Sequence, residues 1–307
     1  MDPVLAWLFD GDPAIRWQVQ RDLLGEAERV WRTEQARIAT DGWGARLLAL
    51  QDDDGRWGGG LYSPKWTSTT YSLLLLYRCG LPPGHPAALA GCRLLLDAGY
   101  TSGGGIDLSA TIGHAETCIT GMVATLCGWF DLDDERVDGV INYLLREQMP
   151  DGGWNCRRWK GATHSSFHTT ITVLEALTEY RGRRFRAEAE QAAAAGREFL
   201  LAHRLYRSHR TGAVVDERMT RFSFPPRWHY DVLRGLDHFR RAGADRDDRA
   251  ADAIDLVASR RRRDGRWPLQ NRHAGRVHFE LEPGRSPSRW NTLRALRVLR
   301  WWNGPEP

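Results

Sequence analysis

Lysine is nearly missing from this sequence of 307 residues: of its 43 basic residues all but Lys65 and Lys160 are arginine. The arginines are dispersed among 39 acids and leave a net charge of only +4, which argues against a nucleic-acid partner. The run Arg260–Arg263 is the exception, and it reads as the solvated end of a helix. Cysteine is also sparse. Five residues at irregular spacing (Cys79, Cys92, Cys118, Cys127, Cys156), with no Cys-x-x-Cys pair, argue against both a disulfide framework and a zinc knuckle and fit a reducing compartment. Long apolar runs are absent. The longest aliphatic run is Leu73–Leu76, far short of the roughly 20 residues a membrane span needs. The start, Met1-Asp2-Pro3, is acidic and carries no apolar segment, so a soluble cytoplasmic protein without a signal peptide or transmembrane segment is expected. Strand patterns are almost missing too, and only residues 276–280 read as a short extended piece.

What the chain has in excess is tryptophan, 14 residues. Three of them close one pattern: Gln51-Asp-Asp-Asp54-Gly55-Arg-Trp57, Gln148-Met-Pro-Asp151-Gly152-Gly-Trp154 and Arg263-Asp264-Gly265-Arg-Trp267. Eroded glycine-rich copies stand at Ser102-Gly-Gly-Gly-Ile106 and Thr211-Gly212-Ala213-Val214. The period is about fifty residues, and a period of that size decides architecture. Between the turns, hydrophobic helices over roughly 13–24, 66–78, 115–128, 165–178, 227–239 and 288–302 alternate with amphipathic ones near 28–50, 86–97, 135–147, 184–204 and 246–261. In the third of these, residues 137, 140, 141, 144 and 145 are apolar, the stripe of a half-buried helix. Such pairs close into an all-α α6/α6 toroid, a double ring with the hydrophobic helices inside, as one domain spanning residues 1–307.

The Gln-x-x-Asp-Gly-x-Trp turns after outer helices resemble the repeat of the squalene and oxidosqualene cyclases, and the related toroids of protein prenyltransferase β subunits. This resemblance covers essentially the whole chain. It implies the toroid, an isoprenoid or other hydrophobic natural-product substrate, and for the cyclases an acid-initiated cyclisation that requires no cofactor. Squalene-type cyclases carry two such domains, whereas this chain holds one, and it has no membrane-inserting apolar segment.

In a toroid all inner-helix N-termini meet at one mouth and carry partial positive charge there. Those starts are polar and aromatic: Lys65-Trp66 through Tyr71, His114-Ala-Glu116-Thr-Cys118, His164 through His168, Trp228-His229-Tyr230-Asp231, and Trp290-Asn291. A polar pocket at this mouth is the default binding site, with Trp66, Tyr71, His114, His164, Trp228, Tyr230, Trp290 and Asn291 as substrate-binding candidates. The cyclases protonate an alkene with an Asp-x-Asp-Asp motif, and Asp131-Leu132-Asp133-Asp134 matches it literally. It precedes an outer helix, though, and so lies away from the mouth and reads as a cap. The catalytic expectation falls instead on Asp231 beside His229, then on Glu116 and Glu175. An acid desolvated among Trp66, Trp228 and Trp290 would hold its proton until it could donate it.

Protein prenyltransferase β subunits bind zinc through an Asp-x-Cys pair on one inner helix and a His on the next. Glu116-Thr117-Cys118 and His168 are similar in order and spacing, with Glu in place of Asp. The resemblance therefore also implies a zinc site on Glu116, Cys118 and His168, for which His114 or His164 could substitute, and with it a helical partner subunit that the chain itself does not contain. Three functions follow for test: a terpenoid-cyclase-like enzyme, a zinc-dependent transferase or hydrolase, and a non-catalytic toroid that encloses a ligand.

Overall fold

A computed structural model describes residues 2–109, 112–182, 184, 186–284 and 286–304. The hydrophobic segments become α2 (Pro13–Gln18, continued by a wider turn over Val19–Leu24), α5 (Thr69–Cys79), α7 (Thr117–Trp129), α9 (Phe167–Arg181), α11 (Val232–Arg241) and α13 (Arg289–Asn303). Each packs on the next, and α13 returns to α2. Trp17 and Gln18 of α2 donate to the carbonyls of Cys79 (2.8 Å) and Arg78 (3.3 Å) on α5, so the inner ring closes. Around it lie α3 (Glu28–Ala36) with α4 (Gly42–Leu48), α6 (Pro86–Gly99), α8 (Arg136–Arg146), α10 (Ala187–Ala202) and α12 (Ala251–Ser259). A short α1 (Pro3–Phe9) occupies the sixth outer place, at the seam between α13 and α2. The structure is thus an all-α α/α toroid, and among the described residues no helix is long and apolar enough to cross a membrane.

The burial pattern follows the sequence. On α8 only Val137, Val140, Ile141 and Leu144 are buried, one stripe toward the inner ring. On α7 every residue from Ile119 to Gly128 is buried. Its buried hydroxyls are satisfied locally: Thr120 and Thr125 donate to carbonyls one turn back, at 2.9 Å each, which avoids the cost of an unpaired polar group. Glycines let α7 and α9 approach closely, since a Cβ at Gly128 would stand 2.9 Å from that of Glu179.

The Trp turns lock outer to inner layer by the same bonds each time. The indole N–H of Trp57, Trp154 and Trp267 donates to a carbonyl of the preceding outer helix, Leu47, Leu144 and Val257, at 2.7–2.8 Å. The backbone N–H of the same residues donates to Thr69, Thr170 and Thr292 of the following inner helix at 3.0–3.1 Å. In the eroded copy Ile106 stands in the Trp place and its N–H donates to Thr120 at 2.9 Å. The Gln148 amide bridges the turn carbonyl of Gly152 (2.7 Å) and Ala192 of the next outer helix (2.9 Å). Gly152 sits at φ +90°, and a Cβ there would lie 2.6 Å from the Ala195 carbonyl oxygen, so only glycine fits.

Several expectations are corrected. The amphipathic stretch 28–50 breaks into α3 and α4 where Gly42 adopts φ +69°. The segment 276–280 is an irregular loop; only Arg276 exchanges backbone hydrogen bonds with Lys65 and Trp66, at 3.0 and 2.6 Å. The inner helices expected from 66 and 227 start at Thr69 and Val232, so Trp66, Trp228 and His229 belong to loops at the mouth. Asp134 accepts from the N–H of Arg136 at 3.0 Å and pairs with its guanidinium at 2.7 Å, holding the start of α8 with Asp133 exposed.

The axis of the ring is filled. Glu175 of α9 takes Arg78 of α5 at 2.6 Å and Arg234 of α11 at 2.7 Å. Glu179 takes Arg241 at 2.6 Å and the Tyr77 hydroxyl at 2.8 Å. Asp237 pairs with Arg297, which also reaches Asp22 at 3.0 Å. Burial by itself would push these carboxyls up; for Glu175, Asp237 and Asp22 the surrounding guanidinium groups outweigh it and hold them well below the usual range. Only about 40 Å³ stays open among these side chains, room for little more than a water or two. Among the described residues the space at the axis is thus small, bordered by these charges and by Trp17, Tyr77, Trp129, Phe224 and Trp290, and Glu175 is a structural charge.

The three Trp turns predict a stability contrast. Trp154→Ala removes a fully buried ring and its indole bond to the Leu144 carbonyl, and is expected to cost about 3–5 kcal/mol in urea unfolding. Trp159→Ala, at an exposed ring, should stay within about 0.5 kcal/mol.

Candidate active site

The mouth is built by loops that enter the inner helices, and it holds two adjoining clefts of about 450 and 560 Å³, both of a size that accepts small molecules. Lys65 and Trp228 line both. The Lys65 ammonium lies 5.3, 5.8 and 5.7 Å from the ring centres of Tyr62, Trp66 and Trp228, close enough for cation–π attraction. Phe224 stacks on Trp290, 4.0 Å between centres, and both rings border the axial space.

The smaller cleft is a histidine and tryptophan wall over a buried carboxylate. His229 is stacked between Trp228 (3.7 Å) and His273 (3.9 Å), and His168 meets the Trp228 ring edge-on at 5.2 Å. The Tyr230 backbone N–H donates to Nδ1 of His168 at 2.8 Å, which requires the neutral tautomer protonated on Nε2. Burial, reinforced by neighbouring imidazoles and Arg234, lowers His229 to about 3, and burial with Arg234 nearby lowers His168 and His273 to about 4. All three are uncharged at neutral pH. Asp231 caps α11: its carboxylate accepts from the N–H of Arg234 at 2.8 Å, and from the N–H and hydroxyl of Ser223 at 3.1 and 2.9 Å. Arg294 stands 3.7 Å away. His273 Nε2 is 3.1 Å from the Ser223 hydroxyl. Asp231 is thus surrounded by hydrogen-bond donors, not by the tryptophan faces expected around it.

The larger cleft has other chemistry. Glu116, Cys118 and Cys156 bring one carboxylate oxygen and two sulfurs within 4.8 Å of one another, all half-buried. Burial raises the Glu116 carboxyl above its ordinary value, against the pull of His114 and Lys65. A hydrogen bond from Cys118 lowers the Cys156 thiol to about 6, and the same bond, together with burial, raises Cys118.

Of the residues expected here, Trp66, Trp228, His229, Tyr230, Asp231 and His168 line the smaller cleft and Glu116 and Cys118 the larger. The Tyr230 ring itself packs on Phe167, and its hydroxyl donates to the Leu205 carbonyl at 2.7 Å. The others are elsewhere. Tyr71 is fully buried beneath Trp66, 4.7 Å between ring centres. The buried Asn291 amide braces the carbonyls of Phe222 and Pro268 at 3.2 and 3.0 Å. Trp290 is stacked between Phe224 and Trp43, at 4.0 and 5.9 Å, beside the axial space. His164 is exposed, and His114 leans on Trp159 at 3.9 Å. The zinc set expected from Glu116, Cys118 and His168 does not assemble, because His168 bonds the Tyr230 backbone across in the other cleft; Cys156 takes its place in the cluster. Sequence reading also missed Ser223 and His273. The latter rides the stretch between Trp267 and α13, visibly longer than the one between Trp57 and α5, and a long connection of this kind is a signal for function.

No family model matches the chain. It is similar to a drimenyl diphosphate synthase of Streptomyces showdoensis, 30% identical over 155 residues, which is 49% of this chain but only 29% of that enzyme. The chain therefore spans less than a third of that relative's length. Among solved structures, the type II terpene cyclase MstE from Scytonema is 16% identical with a TM-score of 0.49, over 94% of this chain and 88% of that one. A variant of the same cyclase, in complex with geranylgeranyl dihydroxybenzoate, is 17% identical with a TM-score of 0.47 over 95% and 88%.

The uncharged histidines set a pH response of stability. Their folded values lie below the unfolded one of about 6.5, so the unfolded chain binds protons first as pH falls. The stability they contribute is complete above pH about 6.5 and declines toward pH about 4. Urea midpoints measured from pH 7.5 down to 5, above most carboxyl titrations, should fall for the native chain. His229→Gln should fall less steeply, and an equal slope would contradict this assignment.

Proposed function

We propose that the chain is a terpenoid-cyclase-like enzyme that works at its mouth, protonating a linear isoprenoid from Asp231 and folding it against the rings of the smaller cleft. The observation that carries this reading is the setting of Asp231. When a carboxyl gives its proton to an alkene, negative charge develops on its oxygens, and three donors at 2.8–3.1 Å already face those oxygens. Preorganised donors aimed at developing charge are the strongest device a site has for such a step. The Ser223 hydroxyl, between Asp231 and His273, gives the carboxylate a route to recover a proton from the cleft. A carbocation left on the substrate lies against Trp66 and Trp228, whose ring faces attract cations. Deprotonation ends the reaction, and the uncharged imidazoles of His229 and His168 are the acceptors at hand. A weak base suffices, since a carbocation is a very strong acid.

The same cleft carries Lys65, Arg218, Arg221 and Arg272 at its border. A diphosphate head, as in the product named for the Streptomyces relative, matches this cationic rim, with the hydrocarbon tail toward Trp66 and Trp228. The zinc-dependent and purely binding alternatives lack Asp231 as a working part.

The discriminating experiment is Asp231→Asn. Asparagine is also a good helix cap, but it cannot accept on both sides and leaves Arg294 without this carboxylate, so the variant's rate is read only at a temperature where circular dichroism shows it folded. Incubated with linear isoprenyl diphosphates of increasing length, the native chain should form cyclic product. The variant should lose about 10²–10⁴ of the rate with KM little changed. Binding without turnover by the native chain, or full turnover by the variant, would defeat the reading.

A further inference from the structure

The second cleft carries a donor set that the cyclisation chemistry does not use. Glu116 and Cys118 stand two residues apart at the start of α7. Cys156 comes from the neighbouring repeat, just after the Trp154 turn, and its N–H donates to the Thr169 hydroxyl at 3.3 Å on α9. Cys118 thus lies in the first turn of α7, Glu116 is the residue that enters it, and Cys156 lies on the turn that leads toward α9 and is tied to that helix by the bond to Thr169; α7 and α9 themselves pack closely at Gly121 and Gly128. The oxygen and the two sulfurs lie within 4.8 Å of one another. A tetrahedral zinc with Zn–S of about 2.3 Å and Zn–O of about 2.1 Å sets its ligands roughly 3.5–3.8 Å apart, so rotation of side chains closes the set without moving backbone.

We propose that Glu116, Cys118 and Cys156 form a zinc site on the wall of the larger cleft, with the fourth coordination position open toward Lys65 and Lys160. Two sulfurs favour zinc over magnesium or calcium, which take oxygen donors. Three protein ligands and one open position is the arrangement of zinc sites that act on a bound molecule; closed four-ligand sites are structural. The cation offsets a carboxylate and two thiolates, and the thiol protons pass to solvent on binding. The ammonium groups of Lys65 and Lys160 border the same cleft, so the ligand that suits the open position is anionic: an oxyanion that bonds the metal and is flanked by lysine. This set differs from the one implied by the prenyltransferase resemblance, because His168 is bound elsewhere and Cys156 replaces it.

The test uses the whole chain, purified under reducing conditions. Zinc supplied alone should bind at one ion per chain by elemental analysis. Cobalt(II) in its place should show thiolate-to-cobalt charge-transfer absorption with tetrahedral ligand-field bands. Cys118→Ser and Cys156→Ser should each remove the charge-transfer band or weaken binding by more than about 100-fold, beyond what changes around an intact ligand set usually cause. Glu116→Gln should weaken binding while keeping the band. Cys92→Ala, at a buried cysteine outside the cluster, should leave the stoichiometry intact. Far-ultraviolet circular dichroism of each variant separates lost binding from lost fold. A chain that takes up no zinc at micromolar concentration, or one whose binding is abolished by His168→Ala and not by Cys156→Ser, overturns the proposal. So does a chain that forms a Cys118–Cys156 disulfide whose reduction restores no metal binding. Asp231→Asn should retain the full complement of zinc, so a failure of the cyclase reading and a failure of the metal site give different results.

Discussion

Everything about where this toroid can act depends on the ladder of arginine and carboxylate side chains along its axis. Glu175 joins α5 to α11 through α9, Glu179 repeats that span one turn on, and Asp237 with Asp22 ties α11 and α13 back to the turn after α2. Such pairs add little to net stability, because desolvation cancels most of their attraction, but breaking one costs about 3–5 kcal/mol through the charge left behind. A substrate that entered the axis would have to displace them. At about 0.8 kcal/mol per buried methylene, uncovering a single pair offsets the burial of roughly four to six methylene groups. The space left among the pairs is small, about 40 Å³, and the larger clefts open at the mouth.

That placement gives the loops their importance. Inner-helix N-termini offer the mouth partial positive charge and backbone N–H groups, and the loops that lead into them set the side chains. Arg227 adopts φ +56° just before α11. Its neighbours Trp228 and His229 lie against His168 on one side and His273 on the other. No single repeat supplies this wall. It needs α9, the entry to α11 and the long stretch before α13 together, and each is fixed to the ring by a Trp turn or a cap, so the wall is as rigid as the ring beneath it.

The helical ring was legible in the sequence because the repeat announces itself twice, in the Trp turns and in the alternation of wholly apolar with one-sided helices. Even the bond pattern is periodic: Trp57, Ile106, Trp154 and Trp267 donate to equivalent threonines. The turn Asp residues serve two ends: Asp54 and Asp264 accept from N–H groups two residues on and fold the turn, whereas Asp151 accepts from the Ser165 N–H just ahead of α9. The seven-residue α1 was missed because so short a segment has no period. The site was legible only in part. Residues near helix starts all look alike in sequence, yet two positions in the entry to α11 decide whether a ring borders both clefts, as with Trp228, or packs on Phe167 behind, as with Tyr230. Cys156 was hidden because proximity between repeats depends on the angle between α7 and α9, which no spacing along the chain records. The filled axis was hidden for a similar reason. Arg78 lies on α5, Glu175 on α9, and Arg234 and Asp237 on α11, and only ring closure sets them face to face.

Lys65 and Trp228 border both clefts, and this shared edge makes the mouth one site with two unlike walls. On one side the histidines carry no charge at neutral pH and the carboxylate is bound by neutral and cationic donors. On the other, a carboxylate and two thiols face two lysines. A molecule with an apolar chain and an anionic head is the shape that satisfies both, with its chain against Trp66 and Trp228 and its head beside Lys65. Charge is divided within the smaller cleft as well: Lys65, Arg218, Arg221 and Arg272 stand on its lining and suit an anionic head, while the uncharged imidazoles leave the ring faces of Trp66 and Trp228 to an apolar chain. The ion pairs that close the axis leave the mouth as the place where that division can be made.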